Sequence, residues 1–138
     1  MKLNLGVIDV IYDYGDNPGQ TTYEVAQDLE QRYRLFTHFF NMHQNEIIEE
    51  LGAEILYSIV NQIEHGIDSN VDMNLEQTKL TFHKFLENQE LDGKVYGVPT
   101  KASLLGVNSR LKKKKGPPRP SFIDGGLLQT SFQAWVEK

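Results

Sequence analysis

From Thr21 to Gly66 the apolar residues of this chain recur at helical spacing, and that pattern fixes most of what it can fold into. Val25, Leu29, Tyr33, Phe36 and Phe40 follow at intervals of four, four, three and four, so they share one face of a helix. Thr21 with Glu24 three residues on makes a capping box, each side chain answering an orphan amide of the first turn. A second stripe, Ile48, Leu51, Ile55, Ile59 and Ile63, runs to Gly66, a residue suited to a helix C-terminus. The spacing is compatible with one continuous helix or with a kink near Asn41. A third helix over "LEQTKLTFHKFLENQE" turns Leu75, Phe82, Leu86 and Leu91 inward, with Asp72 or Asn74 as its cap.

Strand periodicity is confined to the two ends. "LNLGVIDVIYDY" is rich in Val, Ile and Tyr and leads into the turn formers "GDNPG". In "LLQTSFQAWVEK", Phe132, Ala134 and Val136 alternate with Ser131, Gln133 and Trp135. A terminal strand pairs most simply with the N-terminal one. The expected fold is therefore α+β, a small antiparallel sheet of the N-terminal and C-terminal strands packed against two or three helices. No repeat is visible, and 138 residues suffice for one domain with its own core. Its expected parts are a helical body at 21–91, an extended loop or arm at 92–126 and a C-terminal strand at 127–137.

The arm stands apart because nothing periodic survives in it. Six glycines and four prolines fall within the 35 residues 92–126, leaving room for one short helix around Ser103 and Leu105. Loops of this length inside a domain are usually functional or disordered. Charge divides at the same place. Residues 1–92 carry 17 acids and 5 bases, a net of −12, whereas residues 93–138 carry 2 acids and 9 bases, a net of +7. Five cations, Arg110, Lys112, Lys113, Lys114 and Lys115, occupy six consecutive positions, and Arg119 follows among prolines. Such opposed halves call for an acidic partner, either a nucleic acid or the acidic half of another copy. Residues that stack single-stranded bases are missing inside the run, since Phe122 comes seven positions after Lys115.

Motifs of catalysis are poorly represented. "GDNPGQT" lies between a strand and a helix, as a phosphate-cradling loop would. Its glycines are one residue too close, Gln20 stands where the lysine belongs, and Asp13 and Asp16 repel anions. The histidines at 38, 43, 65 and 83 never fall at i, i+4, so no helix offers paired imidazoles to zinc. Glu46, Glu49, Glu50 and Glu54 read as a solvated helix flank, and no serine sits in a G-x-S-x-G elbow. With no cysteine there is neither a disulfide nor a thiolate site. No cofactor or metal is expected, and the chain reads as a non-enzyme. No run approaches the ~18 apolar residues of a membrane span, and the start makes a poor signal peptide, which leaves the cytoplasm as the default place of synthesis.

"RPSFIDGGLLQTSFQAWVE" resembles the end of small neck and tail-completion proteins of long-tailed bacteriophages. Their pattern of proline, Asp-[Thr/Gly]-Gly-Leu, a polar stretch and a final strand is carried here by Pro120, Asp124, Gly125, Gly126, Leu127, Leu128 and residues 132–136. Gly97, Val98, Pro99, Thr100 and Lys101 are similar to an insert in virion proteins of this kind, and the layout of strand, long helix, basic loop and strand fits. Many relatives have threonine where Gly125 stands. The resemblance implies a structural role without an active site: a ring homo-oligomer, hexamer or dodecamer, in the virion neck or upper tail, assembled in the host cytoplasm. Its partners would be other phage neck and tail proteins (connector, tail tube or terminator), near packaged DNA. The contact residues expected on charge and position are Arg110, the lysines 112–115, Arg119, Phe122, Asp124, Leu127 and Trp135 on one side. Glu46, Glu49, Glu50 and Glu54 stand on the other. A DNA-binding accessory protein using the same lysines is the alternative.

Overall fold

The computed structural model describes residues 1–11, 19–67, 73–106, 116–123 and 126–137. Within them the order is β1 (Lys2–Val7), α1 (Thr22–Tyr33), α2 (Leu35–Met42), α3 (Gln44–His65), β2 (Met73–Asn74), α4 (Glu76–Glu87), α5 (Lys101–Leu105), α6 (Leu127–Ser131) and β3 (Phe132–Glu137). The fold is α+β, as expected, and its terminal strands pair antiparallel. Strand order is β1-β3-β2, with the last strand in the middle. Leu3 stands opposite Val136 and Leu5 opposite Ala134, so apolar residues of both strands line the helix-facing side. Lys2, Asn4, Gln133, Trp135 and Glu137 take the other side, as the period of two requires.

Rings from three elements fill the space between sheet and helices. Phe39 of α2, Phe82 and Phe85 of α4, and Phe132 of β3 are fully buried. The Phe82 and Phe132 rings stack with centroids 3.9 Å apart, and Phe39 meets both edge-on at 5.1 and 5.8 Å. Leu75, Leu86 and Leu91 are buried around them, as the spacing of the third helix predicts.

The long helical stretch is broken twice. The capping box of Thr21 and Glu24 forms and starts α1. Arg34 then adopts a left-handed conformation at φ 54° and ends it. Glu30 on α1 restarts the helix, its carboxylate accepting from the amides of Phe36 and Thr37 and from the Thr37 hydroxyl. The second break falls at His43, two residues beyond the Asn41 kink that the sequence left open.

Two boundaries differ from expectation. Asn74 belongs to β2 and does not cap α4. That work falls to Glu50 of α3, which accepts from the amides of Gln77 and Thr78 at 2.8 and 2.7 Å and from the Thr78 hydroxyl. Asp72 lies outside the described residues. The C-terminal strand begins at Phe132, because residues 127–131 form α6. A left-handed Gly126 turns the chain into that helix, which buries Leu128.

Candidate protein-contact surfaces

The arm begins as packed structure. Val98 is buried, and Thr100 caps α5 by accepting from the Ser103 amide. The buried Ser103 and Ser121 hydroxyls lie 3.0 Å apart, and the Thr100 amide donates to Ser121, tying α5 to the later segment of the arm. Gly116 N–H donates to the Leu105 carbonyl at 3.1 Å, and Arg119 N–H to the Ser103 carbonyl at 3.0 Å. These two bonds hold Gly106 and Gly116, the described residues on either side of 107–115, in a hydrogen-bonded neck. Only glycine fits at the exit: a Cβ at Gly106, where φ is +63°, would sit 2.4 Å from the Pro117 carbonyl oxygen.

The expected contact residues fall into three groups. Arg110, the lysines 112–115 and Asp124 lie outside the described residues, as do Asp13, Asp16 and Gly125. Arg119, Phe122 and Leu127 are half-buried. The Arg119 guanidinium reaches the Ile123 carbonyl through Nη1 at 3.4 Å, and the Phe122 ring lies 5.2 Å from that of Tyr33. Trp135 lies on the outer sheet face, across Gly6, where a Cβ would come within 3.1 Å of the indole.

The acidic flank divides as well. Glu50 is committed to the start of α4, and Glu46 to His43, whose Nδ1 is 2.5 Å from its carboxylate. The other ring nitrogen of His43 faces Glu90 at 3.0 Å, and the ring packs on Phe39 and Phe85. His43 therefore pins the α2–α3 break to α4 and to the turn that follows it. Glu49 is exposed and Glu54 half-buried, and both have no hydrogen-bond or ion-pair partner among the described residues. Arg32 on α1 is held above its ordinary range by its hydrogen bond and charge contact with Asp28, an exposed pair of the kind that salt screens.

Little here suits chemistry. Among the described residues, no three His, Cys, Asp or Glu side chains are grouped to hold a metal. The histidines at 38, 43 and 83 are half-buried and His65 is exposed. The crevice between Phe85, Leu91, Val98 and Phe122 has an interior of about 10 Å³, room for a single water at most. No helix of the described residues is long and apolar enough to cross a membrane.

One surface went unread in the sequence. On α3, Ile47 is fully buried and Leu51 packs against the core, which sets the inner face. Most of the stripe legible in the sequence points elsewhere: Ile48, Ile59 and Ile63 are 51, 48 and 77% exposed, and Leu56 beside them 62%. The signal was available, since Ile47 and Ile48 stand about 100° apart on a helix and so mark two apolar sides. Compared with known proteins, the chain matches no family model, no curated protein and no solved structure.

Proposed function

We propose that this chain is a structural component of a bacteriophage virion, a ring protein of the neck or upper tail that works through protein–protein contacts. The observation that carries the reading is the pinned neck at Leu105, Gly106 and Gly116. It holds the two ends of the cationic run to the same protein that offers Glu49 and Glu54 on α3, neither with a partner among the described residues. A head-to-tail ring needs two different patches that complement each other on successive copies, and charges of −12 and +7 on one chain supply such a pair. Charge of this kind speeds encounter and fixes register more than it adds affinity. The likeness of residues 120–136 to the ends of phage neck and tail-completion proteins supports the virion setting.

The test is assembly. Replacing Lys112, Lys113, Lys114 and Lys115 with serine should abolish or weaken ring formation, seen by size and electron microscopy, while circular dichroism stays unchanged. Rings that form equally well without the lysines count against the proposal. The same four lysines keep a second reading alive, a phage DNA-binding accessory protein. Duplex DNA binding that survives near-physiological salt would favour that reading, since binding by charge alone falls steeply with salt.

A further inference from the structure

We propose that the outward face of α3 pairs with the same face of a second copy, the two helices lying antiparallel about a two-fold axis near Leu56. Ile48, Ile55, Leu56, Ile59, Val60 and Ile63 project on the side away from the buried Ile47; Ile55 is half-buried and the other five are exposed. Their free surface is on the order of 600 Å² per copy, at the upper end of what a monomer leaves bare. Two such faces together offer at most about 1,200 Å² for burial, the range in which specific interfaces begin. Gly52 falls on the same face, and a Cβ there would meet nothing within 4 Å. Glycine weakens a helix interior, and nothing among the described residues requires it; it does let a second backbone come close.

Charge selects both occupant and orientation. α3 has no Lys or Arg, its Glu46, Glu49, Glu50 and Glu54 crowd the first half, and residues 55–63 are uncharged. A basic partner would be drawn to the acidic half and leave the apolar half bare. An uncharged apolar stripe matches itself without burying a charge. Parallel pairing would set the two acidic clusters side by side. Antiparallel pairing lays each against the other copy's uncharged end and opposes the helix dipoles favourably. A two-fold contact is distinct from the head-to-tail contact a ring uses, and it stands whether or not the chain belongs to a virion.

The chain has no cysteine, so one introduced thiol reports one position. Leu56→Cys in the full chain should form a disulfide-linked dimer on mild oxidation. Ile48→Cys should not, because eight residues from the axis the two positions lie about 24 Å apart. Ile59→Glu with Ile63→Glu should weaken self-association in sedimentation by roughly a hundredfold. Serine at the lysines 112–115 should leave the Leu56→Cys cross-link intact, so loss of the ring and loss of the pair read separately. A wild-type chain that stays monomeric at hundreds of micromolar overturns the pairing, as do glutamates that leave it unchanged. Cross-linking of Ile48→Cys as readily as Leu56→Cys overturns it too, and this readout does not depend on how the glutamate variant folds.

Discussion

The aromatic centre and the outer half of α3 are equally apolar and have opposite surroundings. Phe39, Phe82, Phe85 and Phe132 reach one point from α2, α4 and β3 and lose all contact with water. Leu56, Ile59 and Ile63 sit on a 22-residue helix, about 33 Å long, while α4 beside it has 12 residues and about half that length. Hydrophobic burial depends on the area removed from water, so it rewards only residues that meet a surface. Periodicity tells that a helix has an apolar side. It does not tell whether the chain itself covers that side.

The sharpest contrast should come from Phe82→Ala. Its ring stacks on Phe132 and touches Phe36, Phe39 and Phe85, so truncation should cost about 3–5 kcal/mol in chemical denaturation. A loss below about 1 kcal/mol would mean that the aromatic cluster is not what holds the body together, and the comparison would collapse.

Next in size is Gly106→Ala. An alanine must adopt a left-handed φ and also displace the Pro117 carbonyl, for a cost of about 2 kcal/mol. The damage should be local. Hydrogen exchange at the Gly116 amide, which bonds Leu105, should accelerate well before exchange in β3 does. Uniform acceleration across the chain would show that the neck and the aromatic centre unfold together.

What could be read in the sequence follows the range of the interactions involved. The box of Thr21 and Glu24 is complete within four residues, and it forms as expected. The inward residues of α4 and the alternation in β3 were likewise set by local period. The starts of α2 and α4 were illegible because their caps come from elsewhere: Glu30 reaches back from α1, and Glu50 reaches across from α3, 27 residues before Gln77. Neither helix has a side-chain cap at its own N-cap residue, Arg34 or Leu75. The two-residue β2 is too short to carry a period at all. For the contact surface, charge marked the arm and the acidic flank. Which glutamates were already committed within the chain depended on tertiary neighbours.

Glu50→Ala measures that tertiary cap directly. It removes the acceptor for two amides and one hydroxyl at the start of α4, and should cost about 1–2 kcal/mol in denaturation. Glu49→Ala, one residue away with no partner to lose, should change stability by less than about 0.5 kcal/mol. Equal losses at the two positions would mean that the acidic flank acts through its summed charge and not through a cap.

The smallest effect on the folded chain is expected where the apolar surface is largest. At concentrations low enough for a single copy, Ile59→Glu with Ile63→Glu should shift the denaturation free energy by less than about 0.5 kcal/mol, since both side chains already stand in water. Two isoleucines replaced by charges inside the aromatic centre would be ruinous. If the outer face of α3 is bare in the single chain, the same exchange there is nearly neutral and can raise solubility by breaking an apolar patch. A loss of several kcal/mol would place another part of this chain over α3, and the two apolar regions would then be one core. Near-neutrality in the monomer combined with loss of self-association would separate them: one region holds the chain together, and the other joins it to a second.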